Sequence, residues 1–308
     1  MRWGTTAALV VSIIIVLSGG IVRVTGSGLG CPTWPACEAG SLTTTPALGI
    51  HGLIEFANRM FTGVLVLAVG WAIVAARLQK QRNRTLTRLA WSQFWLVVAN
   101  SIAGGVSVLT GLNPYVVAVH FVMATALLTT TTLTWHRARQ SLEPMPYDAA
   151  SAGPIAAAAG PLSWALGAVT IMLIAVGTLV TGSGQHSGNS ADVPRMGFVW
   201  SDVAVVHGIL GGAVVVIAIV LLIILRGSIA ASLARRRVIG FIVVTIAQAI
   251  IGVVQATTGV PAALVALHVL GSALVWVGVL RVILDVNPEL MRTRRAPAPV
   301  AAPVGVAG

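Results

Sequence analysis

The sequence predicts an all-α integral membrane protein. Its eight transmembrane helices form two pseudo-symmetric four-helix bundles, a 4+4 parallel repeat with both termini cytoplasmic. Three observations predict this. Apolar runs long enough to cross a bilayer recur along the chain, lysine and arginine collect at one end of those runs, and the second half repeats motifs of the first. The 308 residues are 56% hydrophobic and only 9% charged, with mean hydropathy +0.93, outside the soluble globular range.

Each apolar run is about 20 residues, the length that spans a hydrocarbon core of about 30 Å. The runs lie near 5–24, 48–76, 87–108, 116–135, 161–181, 202–225, 238–257 and 262–284. The first is too long for a cleaved signal peptide, and it ends in a polar motif that returns later. Of the 19 lysines and arginines, 16 share one side of this arrangement. They are Arg2, Arg77, Lys80, Arg82, Arg84, Arg88, Arg137, Arg139, Arg226, Arg235, Arg236, Arg237, Arg281, Arg292, Arg294 and Arg295. Only Arg23, Arg59 and Arg195 lie at the other end, so the positive-inside rule puts both termini in the cytoplasm. The net charge of +11 is this topology signal and needs no nucleic acid to explain it. The predicted organisation is an N-terminal bundle over 1–140, a cytoplasmic linker over 141–160, a C-terminal bundle over 161–285 and a disordered cytoplasmic tail over 286–308.

The repeat sets the register. "VTGSG" occurs at Val24–Gly28, at the outer end of span 1, and again at Val180–Gly184, at the outer end of span 5. "TGLNPYVVAVH", ending at His120, resembles "TGVPAALVALH", ending at His268, with the Thr-Gly pairs offset by 148 residues. Gly104 and Gly252 share that offset, as do Asn100 and Gln248. Four spans repeated as four keep their orientation, which relates the halves by an axis along the membrane normal. For spans 2 and 6, an offset of 149 aligns Asn58 with His207 and Arg77 with Arg226, whereas 156 aligns His51 with His207. The first agrees with the neighbouring offset and keeps the helix lengths equal.

His51, His120, His207 and His268 all lie on even-numbered spans near their outer starts. At 1.5 Å per residue, the last three sit roughly 8–9 Å below those starts. Equal depth on spans 6 and 8 is what two axial imidazoles on a haem iron require, and Gly208, Gly211, Gly212, Gly271 and Ser272 leave room for a macrocycle. Interhelical hydrogen bonding of each histidine is the competing account, and zinc or copper lacks a third and fourth ligand at that level. In the first bundle His120 has the matching depth, but its expected partner position holds Asn58. Either His51, two turns further out, serves as the second ligand, or the iron keeps an open position. Glu55 lies between His51 and Asn58 on the same stripe. It is the one carboxylate well inside a span, and an intramembrane ionisable group marks a functional site. Pairing with Arg59 at i, i+4 would neutralise both without excluding chemistry.

Cys31 and Cys37 share the first external loop, where a disulfide is expected, structural or redox-active, with metal ligation the alternative. Asn100 and Gln248 are assigned to interhelical hydrogen bonds, His136 to an interface, and His186 to a solvated loop. Arg23 and Arg195 are candidates for haem propionates.

Taken with these residues, "GGIVRVTGSGLGCPTWPAC", "IEFANR" and one histidine near the start of spans 4, 6 and 8 make the chain resemble the haem A synthase family, of the bacterial eight-span kind. The resemblance covers about 5–285. It implies an oxidoreductase that converts haem O to haem A for terminal oxidases, oxidising one porphyrin methyl group to a formyl by two hydroxylations and loss of water. It further implies haem b as cofactor, ligated by His207 and His268, with His120 and the glutamate Glu55 in the substrate-haem bundle. Cys31 and Cys37 match the family's first-loop pair. The implied partners are a farnesyltransferase that supplies haem O and an electron donor of unspecified identity. Two departures stand out. This chain reads Glu55-Phe56-Ala57-Asn58-Arg59 where the family commonly has Glu-x-x-His-Arg, and it lacks a second cysteine pair between spans 5 and 6. Two other classes compete: a di-haem, quinol-linked cytochrome b-like electron carrier, and a parallel-repeat transporter. The carrier predicts ligands stacked across the bilayer; the transporter predicts a polar stripe reaching the cytoplasmic half.

Overall fold

A computed structural model describes residues 1–79, 83–139, 158–186, 188–189, 193–227 and 231–291. Eight of its helices are long and apolar enough to cross a membrane. They are α1 (Arg2–Val24), α2 (Gly49–Arg77), α3 (Arg84–Leu109), α4 (Pro114–Arg139), α5 (Ala159–Ser183), α6 (Trp200–Leu225), α7 (Ser232–Thr257) and α8 (Ala262–Val286). No β-strand element occurs among the described residues. Between its ends the helical ladder pairs the backbone polar groups within the segment, which is why an isolated apolar run of this length crosses lipid as a helix. Each of the eight runs is therefore recovered, with ends moved by a few residues. Most of the 141–160 linker, Lys80, Arg82 and residues 292–308 of the tail lie outside the described residues. Residues 286–291 are ordered: Val286 closes α8, and Pro288–Met291 form a 3-10 turn.

Local chemistry sets the helix ends. The Asn83 side chain caps α3 by accepting from the amides of Thr85 and Leu86, both at 3.1 Å. Pro114 opens α4 and Pro261 precedes α8, where a missing amide costs nothing. The helices α3 and α7 end alike. Gly111 and Gly259 take positive φ (63° and 76°), and so do the residues after them, Leu112 (60°) and Val260 (56°). The Leu112 amide reaches back to Ser107 O at 2.7 Å and the Val260 amide to Gln255 O at 2.8 Å. Positive φ at a branched valine is strained, so each turn is held by its surroundings. His186 supplies one such hold, with its Nε2 donating to Val260 O at 2.8 Å.

Within the first four helices each packs on its sequence neighbours and α4 returns to α1; α5–α8 close in the same way. α8 also packs on α1 and α4, and α4 touches α5, forming a seam between the two sets. Across it, Trp276 Nε1 donates to Thr129 Oγ1 at 2.9 Å. Interhelical hydrogen bonds in membranes are modest, so Trp276→Phe should lower stability by about 1 kcal/mol. Reversible unfolding in detergent would read this.

Packing is uneven along the helices. At the end opposite the disulfide loop, Leu166, Leu221, Leu225, Val238, Val279 and Val282 are fully buried in one set, with Leu65, Val69, Ala72 and Ala90 in the other. Toward the loop end, no residue of 200–213 in α6, 246–254 in α7, 262–270 in α8 or 115–124 in α4 is buried. The loosely packed halves are the ones that carry His120, His207 and His268.

Candidate functional site

Glu55 and Arg59 share a face of α2 one turn apart, and that face meets the loop preceding the helix. Glu55 is 4% exposed. Its Oε1 accepts from Arg59 Nη2 at 2.8 Å and its Oε2 from the Cys31 amide at 3.1 Å. The Arg59 guanidinium also donates to three loop carbonyls, Cys31 at 3.1 Å, Thr33 at 3.0 Å and Ala36 at 3.0 Å. Cys31 and Cys37 form a disulfide of S–S 2.06 Å, and both are fully buried. The ion pair thus orders the small ring closed by the disulfide. Trp34, at the tip of that ring, lies against Gly105 of α3, where a methyl would fall 2.4 Å from the indole. The loop therefore covers the first four helices at the end where His120 sits.

The neighbours of Glu55 are also engaged. Asn58 Oδ1 accepts from Ser18 Oγ of α1 at 2.7 Å. His51 Nδ1 hydrogen-bonds Ser27 Oγ, just beyond the end of α1, at 2.9 Å. Asn58 thus lies at the depth of the helical part of α1, and His51 at the level of the loops.

His207 and His268 come together from α6 and α8, with ring centroids 6.2 Å apart and planes inclined by 63°. His207 Nδ1 lies 3.1 Å from Leu173 O. A carbonyl only accepts, so Nδ1 carries the proton and Nε2 keeps the lone pair that a metal needs. A metal about 2 Å from each of two imidazole nitrogens holds the ring centres about 6 Å apart. Gly208 and Gly212 have nothing within 4 Å of an added methyl, and Gly211 has only a leucine methyl at 4.0 Å. The pair, the open halves around it and the bare backbone beside it fit a planar iron porphyrin. A porphyrin fills the equatorial positions itself and asks the protein for axial nitrogen alone. Two sequence expectations change. Gly271 is not open space, because the Gln248 side chain lies directly over it. His186 is not merely solvated, because it caps the turn at Val260.

His120 occupies the corresponding place in the first set of helices, near the Asn100 carbonyl, with Nδ1 completing no hydrogen bond. Among the described residues no three His, Cys, Asp or Glu side chains gather as a metal-binding group. Arg23 and Arg195 both lie at the loop end. Arg23 Nη2 donates to Thr181 O at 2.8 Å; Arg195 donates to the carbonyls of Gly184 and Gln185. Gly28 N donates to Gly188 O at 2.7 Å, tying the two long loops together.

At the opposite end Asp285 of α8 accepts from Arg237 Nε of α7 at 3.1 Å and faces His136 Nε2 of α4 at 3.4 Å. His136 therefore belongs to a buried polar contact across the seam. Sequence reasoning missed Ser18, Ser27 and Gly177. Serine and glycine carry no individual signal until a partner is seen against them.

The family model for cytochrome oxidase assembly proteins matches residues 1–280 of the chain. Among curated relatives, the "Heme A synthase" of Lysinibacillus sphaericus strain C3-41 is 33% identical over 125 residues, 39% of each chain. That of Listeria welshimeri is 32% identical over 109 residues, 35% of each chain. That of Staphylococcus saprophyticus is 28% identical over 122 residues, 39% of this chain and 40% of its own. The chain thus spans about two fifths of the length of the curated relatives it matches.

Proposed function

Since the chain belongs to the COX15-CtaA family of cytochrome oxidase assembly proteins, we propose that it is a haem A synthase. It takes haem O as substrate and oxidises one ring methyl, through an alcohol and a geminal diol that loses water, to the formyl group of haem A. The single observation that carries this reading is the inequality of the two helix sets. α5–α8 bring two imidazoles to 6.2 Å between ring centroids, whereas α1–α4 bring one histidine, His120, to the corresponding place, in the same set as a buried carboxylate. Two histidines would hold a haem permanently, whereas His120 alone would hold one less firmly, which suits a ring that is to be altered and released.

In this reading the chain is a duplicated quartet of helices in the plasma membrane, with both termini cytoplasmic and the haem sites toward the extracytoplasmic side. The matched turns at Gly111-Leu112 and Gly259-Val260, offset by 148 like the histidines that follow them, support the duplication. His207 and His268 hold haem b, which supplies one-electron redox chemistry when bound. His120 orients the substrate ring. His51, engaged by Ser27, and Asn58, engaged by Ser18, contribute no second nitrogen at its level. The loop carrying Trp34 excludes water from the substrate side, and Glu55 is the group placed to hold or pass a proton there. Arg23 and Arg195, both at the rim, are donors available to propionates, and Arg59 fixes the carboxylate. Haem O comes from a farnesyltransferase, and the product serves a terminal oxidase.

The test is chromatography of haems from cells that express this chain beside a haem O source. Hydroxylated and formylated haem is expected, and unchanged haem O would overturn the assignment. In the purified protein, His207→Ala should remove the low-spin b-type spectrum. A variant that retained it would place haem b elsewhere.

A further inference from the structure

His120, His207 and His268 stand in one relation to the helix that precedes their own. A methyl added at Gly104 of α3 would lie 3.1 Å from His120 Cε1 and 3.5 Å from Nδ1. One at Gly177 of α5 would lie at the same two distances from His207. One at Gly252 of α7 would lie 3.5 Å from His268 Cε1. Each imidazole therefore rests on bare helix backbone; a methyl would press on the rings of His120 and His207 and make ordinary contact with that of His268.

The backbone four residues earlier meets the imidazole in two of the three, and at His207 its carbonyl accepts from Nδ1. Leu173 precedes Gly177 by four and accepts from His207; Asn100 precedes Gly104 by four and faces His120. In an α-helix that oxygen already accepts from the glycine amide. The missing Cβ opens a path by which a second donor reaches the same oxygen. A histidine held this way keeps one tautomer and one ring orientation, as second-shell partners of metal ligands do.

We propose that Gly104, Gly177 and Gly252 are positioning residues that seat the three haem-ligand imidazoles. The proposal rests on the haem reading given above. It also accounts for the one histidine that is absent: Asn58 meets the Ser18 hydroxyl on α1, and none of the described glycines has an Asn58 atom nearest its added methyl. Ligand and seat are thus missing together.

The experiment uses the full chain purified with the haem it carries, read by the ferric low-spin resonance, the Soret band and haem per protein. Gly177→Ala should shift or broaden the low-spin signal and weaken haem retention about 10-fold or more. Gly104→Ala, loaded with haem O, should shift the Soret band of the first site and lower its haem content. Gly252→Ala, where the added methyl makes only ordinary contact, should perturb less. Gly167→Ala is the structural control. Its methyl would fall 2.7 Å from Ile283 Cδ1, a tighter clash ten residues along α5 from Gly177 and away from the three seated imidazoles. It should lower thermal stability and leave the haem signals in place.

The proposal is overturned if Gly177→Ala keeps the wild-type resonance and haem content, or if Gly167→Ala changes them equally. Failure of the underlying reading looks different: wild type and His207→Ala would then have the same spectrum.

Discussion

Glu55→Gln is expected to stop haem O oxidation while leaving the protein folded and haem-loaded. Glutamine keeps the shape of the side chain and still offers an oxygen to the Cys31 amide, so the loop retains an anchor at Glu55's place. Arg59 keeps its three loop carbonyls. What disappears is a group that can bind and release a proton inside the membrane. Removal of a positioned acid or base typically costs about 10²- to 10⁴-fold in rate. Haem chromatography after a single load of haem O measures it, with the b-type spectrum as the folding control. Turnover within a few-fold of wild type would show that Glu55 only organises the loop.

Arg59→Met should be the most damaging single change to the loop. It removes all four hydrogen bonds of the guanidinium and leaves the Glu55 carboxylate buried with only backbone donors. Breaking one partner out of a buried ion pair costs about 3–5 kcal/mol. The loss should be local, because the core at the opposite end does not touch this loop. Two measurements distinguish local from global damage: the unfolding temperature, and the rate at which a mild reductant opens Cys31–Cys37 under native conditions. Faster opening with the b-type spectrum intact is expected. An unchanged reduction rate would mean that the ring holds itself in place.

The helices were legible because a bilayer leaves the backbone one way to satisfy itself, and hydropathy alone locates the runs. The Glu55–Arg59 pair was legible from its i, i+4 spacing, and the disulfide from two cysteines in one external loop. The use of Arg59 was not, since the three acceptors it finds are carbonyls, which residue identity does not distinguish. Gly271 illustrates the opposite failure. A glycine announces bare backbone but not what lies on it, and the Gln248 side chain had already claimed that place. Gly104 and Gly252 stood out through their common offset, yet their purpose became readable only with the imidazoles above them. Gly177 shares no such offset and had no signal in the sequence.

The uneven packing along the helices has a consequence for how the molecule matures. Leu221, Val238 and Val279 lock one end regardless of cargo, while the histidine-bearing ends have few apolar contacts of their own to resist parting. Rigidity then falls off along the membrane normal, and local opening begins at the sparsely filled end. On the proposed reading, this sparsely packed end is where a bulky flat guest would enter, with the rest of the assembly left threaded. The haem of that reading would then supply the interior contacts that these halves lack.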